Sequence, residues 1–226
     1  MLLSAKTKDD IFAGLSKASK LLEFDYFAYG LRLAVPVSAP KIELLNNYPS
    51  KWQEIYHTNN YVSVDPTVQL GLKTIQPIIW EEEIFSETRS LWDDANSFGL
   101  SHGWAQSSFS GDGVSGMLTL SRSHDSLSKT ELLYKTPLLL WFNQLAHIAL
   151  KDILLTDLTD KSNIKLTIRE TEIMRWTADG KTSYEISIIL GISERTVNFH
   201  LSNILNKFNV NSKIAAAVQA VILGLI

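Results

Sequence analysis

Apolar residues recur at helical spacing in several stretches of the first 160 residues, and aromatic or β-branched runs lie between them. The helical spacing predicts helices at residues 9–22, 49–58, 86–98 and 128–155, and a short helix that begins at Asp65 and Pro66. Strands are predicted at residues 24–33, 42–45, 77–80, 103–109 and 117–121, the last two joined by a turn at residues 111–113. This pattern favours an α/β/α sandwich: a five-stranded antiparallel sheet with helices on both faces.

The last sixty residues read as four short helices with clear boundaries. Thr167 is followed three residues later by Glu170, so each side chain can bond the other's free backbone N–H and start a helix. Gly180 can end that helix in a left-handed conformation at little steric cost. Thr182 and Glu185 then repeat the same signal for a second helix.

A third helix of this region is predicted to begin at Ser193. One side of it carries apolar residues at the spacing of a buried face: Val197, Leu201, Ile204, Leu205 and Phe208. A helix, a short turn with Gly and a second capped helix form a helix-turn-helix. The C-terminal region is therefore expected to be a four-helix helix-turn-helix domain, which makes the whole chain an α+β protein.

The other side of the third helix suits a DNA groove. It presents Arg195, Asn198, Phe199, Ser202 and Asn206. An asparagine can bond adenine with two hydrogen bonds, a serine can bond several bases, and an aromatic ring can contact a thymine methyl group. The alternative is a solvated helix face with one exposed phenylalanine.

Charge separates the two parts of the chain. Residues 161–226 hold eight Lys and Arg against five Asp and Glu, whereas residues 1–160 hold thirteen against nineteen. The part with the groove-facing helix is thus the basic one, as binding to phosphates requires. The chain has no cysteine, which excludes disulfides and thiolate sites and suits a cytoplasmic protein. No membrane span is expected, and residues 1–6 are too short for a secretory signal.

The sequence offers little support for an enzyme. The five histidines are scattered without metal-ligand spacing, and the three consecutive acids from Glu81 to Glu83 do not face one point. Residues 110–113 form a turn rather than the strand, serine and helix of a nucleophile elbow. We therefore expect no catalytic residue, no metal and no cofactor.

Aromatic residues with polar tips converge in the first part of the chain. Trp52 and Tyr56 are four residues apart on one predicted helix, and Tyr48 precedes it on the same face. These groups need partners if they are buried, and they can satisfy one another or backbone carbonyls. Asp65 adds an acceptor, although as a helix cap it can already be satisfied by backbone. A ligand with two carbonyls and one amide N–H would also match these groups.

The C-terminal segment closely resembles the DNA-binding domain of LuxR-type regulators. The resemblance rests on residues 166–170, 176–183, 185–186, 192–200 and 207–210. It implies binding to double-stranded DNA with the third helix in the major groove. By position it implies Asn198, Phe199 and Ser202 as base readers. It also implies that Arg195, Thr196 and Lys207 lie near phosphates. Met174 stands where this family usually has Leu, an exchange that conserves volume.

The first 160 residues are similar to the autoinducer-binding domain of the same family. The resemblance rests on Trp52, Tyr56, Asp65 with Pro66, and Trp80. It implies an N-acyl homoserine lactone as the ligand, with the Trp52 indole N–H donating to the lactone carbonyl and Asp65 accepting from the amide N–H. It further assigns Tyr48 and Thr119 to the acyl carbonyl. The pocket walls would be Tyr56, Trp80 and Trp92. Thr119 is a mild departure, since serine also occurs there in the family.

Trp104 has two interpretations. It can line the acyl channel and shorten the preferred chain, or it can fill the core, and the usual burial of large aromatics favours the core.

These predictions combine into a ligand-responsive transcription regulator of quorum-sensing genes. We expect a sensor domain at residues 1–155, a linker at 156–165 and a DNA-binding domain at 166–226. A homodimer is expected through the helix at 128–155 and the last helix. Two alternatives stay open at this point. One is a regulator of the same build that binds DNA without its ligand or is antagonised by it. The other is an interaction protein whose first domain senses a different molecule.

Overall fold

The computed structural model describes residues 7–111, 113–158 and 164–226. The chain divides into two compact units. The sheet unit contains the described residues up to Arg32, together with Ile42–Phe109 and Ser115–Leu158. The helical unit contains Leu33–Lys41, Ser110–Val114 and the described residues after Leu158. Residues 159–163 of the predicted linker, residue 112 of the predicted turn and residues 1–6 lie outside the described residues.

Five strands form one antiparallel sheet in the order β2-β1-β5-β4-β3, which confirms the predicted sheet. The strands are β1 (Tyr26–Leu33), β2 (Lys41–Asn46), β3 (Ile78–Ile79), β4 (His102–Phe109) and β5 (Val114–Arg122). β5 begins three residues before its predicted start, because Gly116 continues the strand instead of ending it. A Cβ atom at Gly116 would lie 2.0 Å from the Tyr29 hydroxyl, so only glycine leaves room for that ring.

The sheet unit also contains five α-helices. They are α1 (Lys8–Leu21), α2 (Ser50–Thr58), α3 (Pro66–Gly71), α4 (Arg89–Ser97) and α5 (Lys129–Leu158). Short 3-10 helices occupy Tyr61–Ser63 and Glu82–Phe85. The second of these precedes α4, so α4 starts later than predicted. α5 runs continuously through Pro137 and ends three residues beyond the predicted position.

One face of the sheet packs against α1 and α5. Phe27, Tyr29 and Leu31 of β1 are fully buried there, and the Tyr29 hydroxyl lies 2.7 Å from Nδ1 of His147 on α5. Trp104 of β4 is fully buried on this same face. Its neighbour Gly103 faces Trp80 on the opposite side of the sheet, so Trp104 points away from that side. Trp104 therefore belongs to the core, as predicted, and does not enter the acyl channel.

A partly buried ion pair fastens α5 to the end of β5. The guanidinium of Arg122 donates to both carboxylate oxygens of Glu131, at 2.8 and 2.7 Å. The Nζ of Lys135 donates to the same carboxylate at 2.8 Å. These two cations lower the pKa of Glu131 to about 2 against the opposing effect of burial. Three full charges and the bidentate contact between Arg122 and Glu131 make this a firm attachment.

The helical unit consists of α6 (Ile168–Ala178), α7 (Ser183–Leu190), α8 (Glu194–Phe208) and α9 (Lys213–Ile222). Capping boxes at Thr167 and Thr182 start α6 and α7, as predicted. Gly191 ends α7 in the left-handed conformation. The four helices close on one apolar core: Ile173, Met174, Ile186, Val197, Leu201, Ile204, Phe208, Ala216, Ala217 and Ala220.

Candidate functional site

The face of the sheet opposite α5 borders a cavity of about 650 Å³. Its volume falls within the usual range of small-molecule sites. β1, β2 and β5 form its floor, and α2 and α3 cover it. Its lining is mostly apolar, with the polar groups concentrated at the end near α2 and α3. We call this polar end the head of the cavity, and its residues are Tyr48, Trp52, Tyr56, Asp65, Thr67, Trp80 and Thr119.

Trp52 lies at the head within an aromatic cluster. Its side chain is only 3% exposed, and its ring lies 5.6 Å from Tyr56, 6.1 Å from Tyr61 and 6.1 Å from Phe98. These rings fix the orientation of the indole from three sides. The indole N–H makes no hydrogen bond to any residue in the described ranges. A donor that can only donate is thus presented to the cavity.

Asp65 lies at the head and caps α3. Its Oδ1 accepts from the backbone N–H of Thr67 at 2.8 Å and from the Thr67 hydroxyl at 2.6 Å. Its Oδ2 accepts from the Tyr56 hydroxyl at 2.9 Å. The carboxylate is therefore already satisfied in part by its own helix, the alternative that the sequence left open. A carboxylate has about four lone-pair sites, so Oδ2 still has capacity for one amide N–H.

Burial dominates the acid–base properties at the head. It raises the pKa of Asp65 above its usual range, although the Thr67 and Tyr56 hydrogen bonds favour the charged form and oppose the rise. Burial also raises the pKa of Tyr56, and the neighbouring Asp65 charge adds to the increase. The pKa of Tyr48 is raised for the same two reasons. Both phenols are therefore neutral hydrogen-bond donors at physiological pH.

Trp80 and Thr119 complete the head of the cavity. Thr119 is a buried residue of β5 that lies opposite Ala105 of β4 in the sheet. The Trp80 ring lies flat against the backbone of Gly103, since a Cβ atom there would be 2.2 Å from the indole. The sheet can therefore hold a tryptophan at this position only because residue 103 is glycine.

Trp92 does not line the cavity, which corrects the prediction that it forms a wall. Its ring stacks on Phe85 at 4.6 Å, and Phe85 in turn contacts Trp80 at 5.9 Å. Trp92 therefore supports the wall from one layer behind. The family resemblance assigned Trp92 to the pocket wall but gave no information about which residue would stand in front of it.

The second candidate site is the exposed side of α8. Arg195, Asn198, Phe199 and Ser202 are all exposed, and Phe199 is 63% exposed despite its apolar ring. The buried stripe of α8, which includes Val197 and Leu201, lies on the other side. These exposed side chains form the surface that sequence alone assigned to base contacts, and their roles stay a prediction.

Some predicted DNA contacts already bond within the helical unit. The Thr196 hydroxyl lies 2.8 Å from that of Ser193, and the Ser202 hydroxyl donates to the Asn198 carbonyl at 3.0 Å. Hydroxyl groups can exchange such bonds for a phosphate or a base.

Lys207 is held more firmly than these hydroxyls. Its Nζ lies 2.6 Å from the buried carboxylate of Glu170 and also donates to the Lys165 carbonyl at 3.0 Å. Burial alone would raise the pKa of Glu170, but Lys207 and the Thr167 donors outweigh it and lower the pKa. Lys207 thus ties α8 to α6, and a phosphate would have to compete with that carboxylate.

Comparison with known families matches both halves of the chain. Residues 7–150 match the model described as "Autoinducer binding domain". Residues 165–220 match the model described as "Bacterial regulatory proteins, luxR family". The chain belongs to the LuxR family of autoinducer-binding regulators. It is a ligand-responsive, DNA-binding transcription regulator of the quorum-sensing class.

Relatives of this LuxR-type regulator match it over nearly its whole length. The transcriptional activator protein AnoR of Acinetobacter nosocomialis is 44% identical over 226 residues, which are 99% of this chain and 95% of AnoR. The HTH-type quorum-sensing regulator RhlR of Pseudomonas aeruginosa is 38% identical and is matched over 96% of this chain and 89% of its own. The crystal structure of Escherichia coli SdiA superposes with a TM-score of 0.83 at 32% identity, covering 100% of this chain and 94% of that one.

Three residues that form or support the head were not predicted from the sequence. Thr67 bonds Asp65 twice, and the pattern of an aspartate, a proline and a threonine at a helix start could have indicated it. Tyr61 supports Trp52, and its hydroxyl donates to Asp94 at 2.6 Å. Gly103 accommodates Trp80, but a lone glycine within a strand pattern gives no sign of which ring lies on it.

In the described ranges, no group of three or more His, Asp or Glu side chains is arranged to hold a metal ion. Of the helices in the same ranges, none combines the length and apolarity needed to cross a bilayer.

Proposed function

We propose that the protein is a receptor for N-acyl homoserine lactones that acts in the bacterial cytoplasm as a homodimer on DNA. The single observation that carries the ligand proposal is the head of the cavity. There the free indole N–H of Trp52 and the carboxylate of Asp65 border one apolar space. A lactone carbonyl would accept from Trp52, and the amide N–H beside it would donate to Oδ2 of Asp65. Tyr48 and Thr119 would donate to the acyl carbonyl.

The residues around this head support the proposed roles. Thr67 occupies Oδ1 of Asp65 with two hydrogen bonds, so the ligand's amide is left with Oδ2. Tyr56 shares Oδ2 and closes the wall beside Trp52. Each partner is preorganised, which lowers the entropic cost of binding. The ligand would therefore complete an existing network and fill the space beneath it.

The ligand proposal is tested by thermal unfolding of the full-length chain with a series of acyl homoserine lactones. Binding to the folded state raises stability by about 2.7 kcal/mol at one hundred times the Kd. We expect a clear rise in Tm with at least one lactone. Trp52→Phe keeps the ring but removes the N–H, and it should weaken binding roughly tenfold. Absence of any shift across the series would refute the proposal.

A second ligand class is favoured by one specific observation. A structure described as "SdiA in complex with octanoyl-rac-glycerol" superposes with a TM-score of 0.82 at 32% identity, covering 99% of this chain and 91% of that one. A monoacylglycerol has an ester oxygen in place of the amide N–H, so it cannot donate to Asp65 from that position. An equal Tm shift with octanoylglycerol and with octanoyl homoserine lactone would assign the site to acyl chains in general.

The homodimer is proposed from an unpaired apolar stripe on α5. Tyr134, Leu138 and Trp141 are 75%, 59% and 62% exposed, and Ile148 is 50% exposed. With Leu145 they repeat at the spacing of a two-helix seam. On α9, Ile214, Val218 and Val221 are likewise exposed, whereas Ala216, Ala217 and Ala220 fill the unit's own core. A second copy of the chain would cover both sets and place two α8 helices on two half-sites.

The dimer proposal is tested by light scattering or sedimentation of the ligand-bound protein. Leu138→Glu should yield monomers because it places a charge within the stripe. Leu133 is 73% exposed but lies beside the stripe, so Leu133→Glu is the matched control and should remain dimeric. If both variants are monomeric, or if both remain dimeric, the stripe is not the dimer interface.

A further inference from the structure

The floor of the cavity has an order along the sheet. β1 contributes Ala28, Gly30 and Arg32, β2 contributes Asn46, Leu44 and Ile42, and β5 contributes Thr119, Met117 and Ser115. Successive members of each set are two residues apart and therefore face the same side of the sheet. The floor thus consists of three layers. The head layer is Ala28, Asn46 and Thr119; the middle layer is Gly30, Leu44 and Met117; the far layer is Arg32, Ile42 and Ser115.

The direction of these layers is fixed by contacts at the head. Tyr26, which precedes the β1 set, lies 6.1 Å from Tyr48. Trp80 lies on Gly103 of β4. Gly103 is paired with Ser121 of β5, which is two residues from Thr119, so the Thr119 end of the β5 set is the end near Trp80. The far layer is therefore the end most distant from the polar head. Ile42 of the far layer and Leu44 of the middle layer both belong to the edge strand and are 43% and 52% exposed, so an occupant of the channel would cover apolar side chains in both layers.

In the middle layer Gly30 leaves the floor without a side chain. A Cβ atom on Gly30 would meet only the Leu44 side chain, at 3.3 Å. Across the channel, Gly71 of α3 packs closely on Met117, since a Cβ at Gly71 would be 2.7 Å from its sulfur. Met117 is flexible and can adapt to an occupant. Trp104 lies on the other face of the sheet and blocks nothing.

The distances between these layers can be compared with the length of an extended acyl chain. An antiparallel strand rises about 3.4 Å per residue, so neighbouring layers are about 7 Å apart and the far layer is about 14 Å from the head. An extended alkyl chain advances about 1.25 Å per carbon, from bonds of about 1.5 Å at near-tetrahedral angles. About six carbons then reach the middle layer and about eleven reach the far layer.

We propose that this channel selects a long acyl chain of about ten to twelve carbons and that Gly30 is the residue that permits it. The inference rests on the proposed function, because it places the acyl carbonyl at Tyr48 and Thr119. Beyond the head, the chain would lie on Gly30 beside Leu44 and Met117 and end near Arg32 and Ser115.

The test measures the Kd of the full-length chain for acyl homoserine lactones of four to fourteen carbons. Each buried methylene strengthens binding, so the twelve-carbon ligand should bind at least about tenfold more tightly than the six-carbon one. In Gly30→Val the added methyl groups fill the middle layer. That variant should keep its affinity for four to six carbons and bring the twelve-carbon ligand to within about threefold of the six-carbon one.

Two further variants keep the test decisive if Gly30→Val does not fold. Gly30→Ala adds one atom that meets only the end of Leu44, and it should give a smaller loss confined to long chains. Ser115→Val adds bulk one layer further out, so it should penalise twelve and fourteen carbons but not eight. Tightest wild-type binding at four to six carbons, or losses that do not depend on chain length, would overturn the inference. Absence of binding by every lactone would instead contradict the proposed function.

Discussion

The two units of this regulator differ in how completely their interiors are filled and hydrogen-bonded. The sheet unit surrounds a cavity of about 650 Å³ and leaves buried polar atoms unpaired, among them Trp80 Nε1, Thr88 Oγ1, Trp104 Nε1 and Asn143 Oδ1. Within residues 164–226 no buried side-chain nitrogen or oxygen atom lacks a partner, and the apolar core is closed. An unfilled interior is less stable than a packed one. Of these atoms only Trp80 Nε1 belongs to a residue that lines the cavity. A ligand would fill the space beside it, whereas the helical unit presents its candidate DNA-contacting residues on its surface.

The largest effect is expected when a cavity is created in the closed core of the helical unit. Phe208→Ala removes a ring that is 5% exposed, and such truncations cost about 3–5 kcal/mol. We expect loss of DNA binding and a lower unfolding temperature of residues 164–226. The lactone should restore neither DNA binding nor the unfolding temperature, because it does not fill the cavity left by the Phe208 ring. Measurement by calorimetry of the full chain, with and without lactone, checks this, and rescue by the lactone would contradict it.

A slightly smaller effect is expected from the ion pair that stabilises the sheet unit. The pKa of Glu131 is about 2 in the folded protein, against an ordinary value of 4.5. A lowered pKa means that this stability is present above about pH 4.5 and is lost as the pH falls toward 2. The shift corresponds to about 3 kcal/mol.

Urea unfolding of the wild type and of Glu131→Gln at several pH values tests this ion pair. The variant should be less stable at pH 7 because Arg122 loses its carboxylate, and it should lose less stability than the wild type on acidification. Equal acid dependence in both proteins would show that Glu131 does not contribute in this way.

The smallest effect on stability is expected on the surface of α8. Asn198 is an exposed residue, so Asn198→Ala should change the unfolding free energy by less than about 0.5 kcal/mol. On DNA it should reduce the preference for the cognate site over a scrambled one by about 1–3 kcal/mol. Fluorescence anisotropy with both duplexes measures this preference. An equal loss on both would mean that Asn198 does not read a base.

Local signals predicted the helical unit well. Capping boxes and a left-handed glycine act within four residues of the chain, so Thr167, Thr182 and Gly191 define helix ends without reference to the rest of the fold. The start of α4 had no such signal. Thr88 makes no capping hydrogen bond, and a 3-10 helix stands before it, which explains the error there.

Site residues were predicted only where residues close in sequence define them or where the family resemblance assigns them. The pair formed by Trp52 and Tyr56 follows from helical spacing, and the structure places both at the head. Gly103 and Gly30 matter because of residues that are distant in sequence, Trp80 and Leu44. Trp92 shows the same limit, since only the packed structure reveals that Phe85 and Trp80 stand between it and the cavity.

Hydrogen exchange of the full-length chain, with and without a saturating long-chain lactone, tests the central claim most directly. If the ligand completes the core of the sheet unit, protection should rise at residues 48–72 and 114–122, which form the cover and floor of the cavity. Residues 168–208 should change little in the absence of DNA. Protection that rises mainly in the helical unit, with no change around the cavity, would contradict the account.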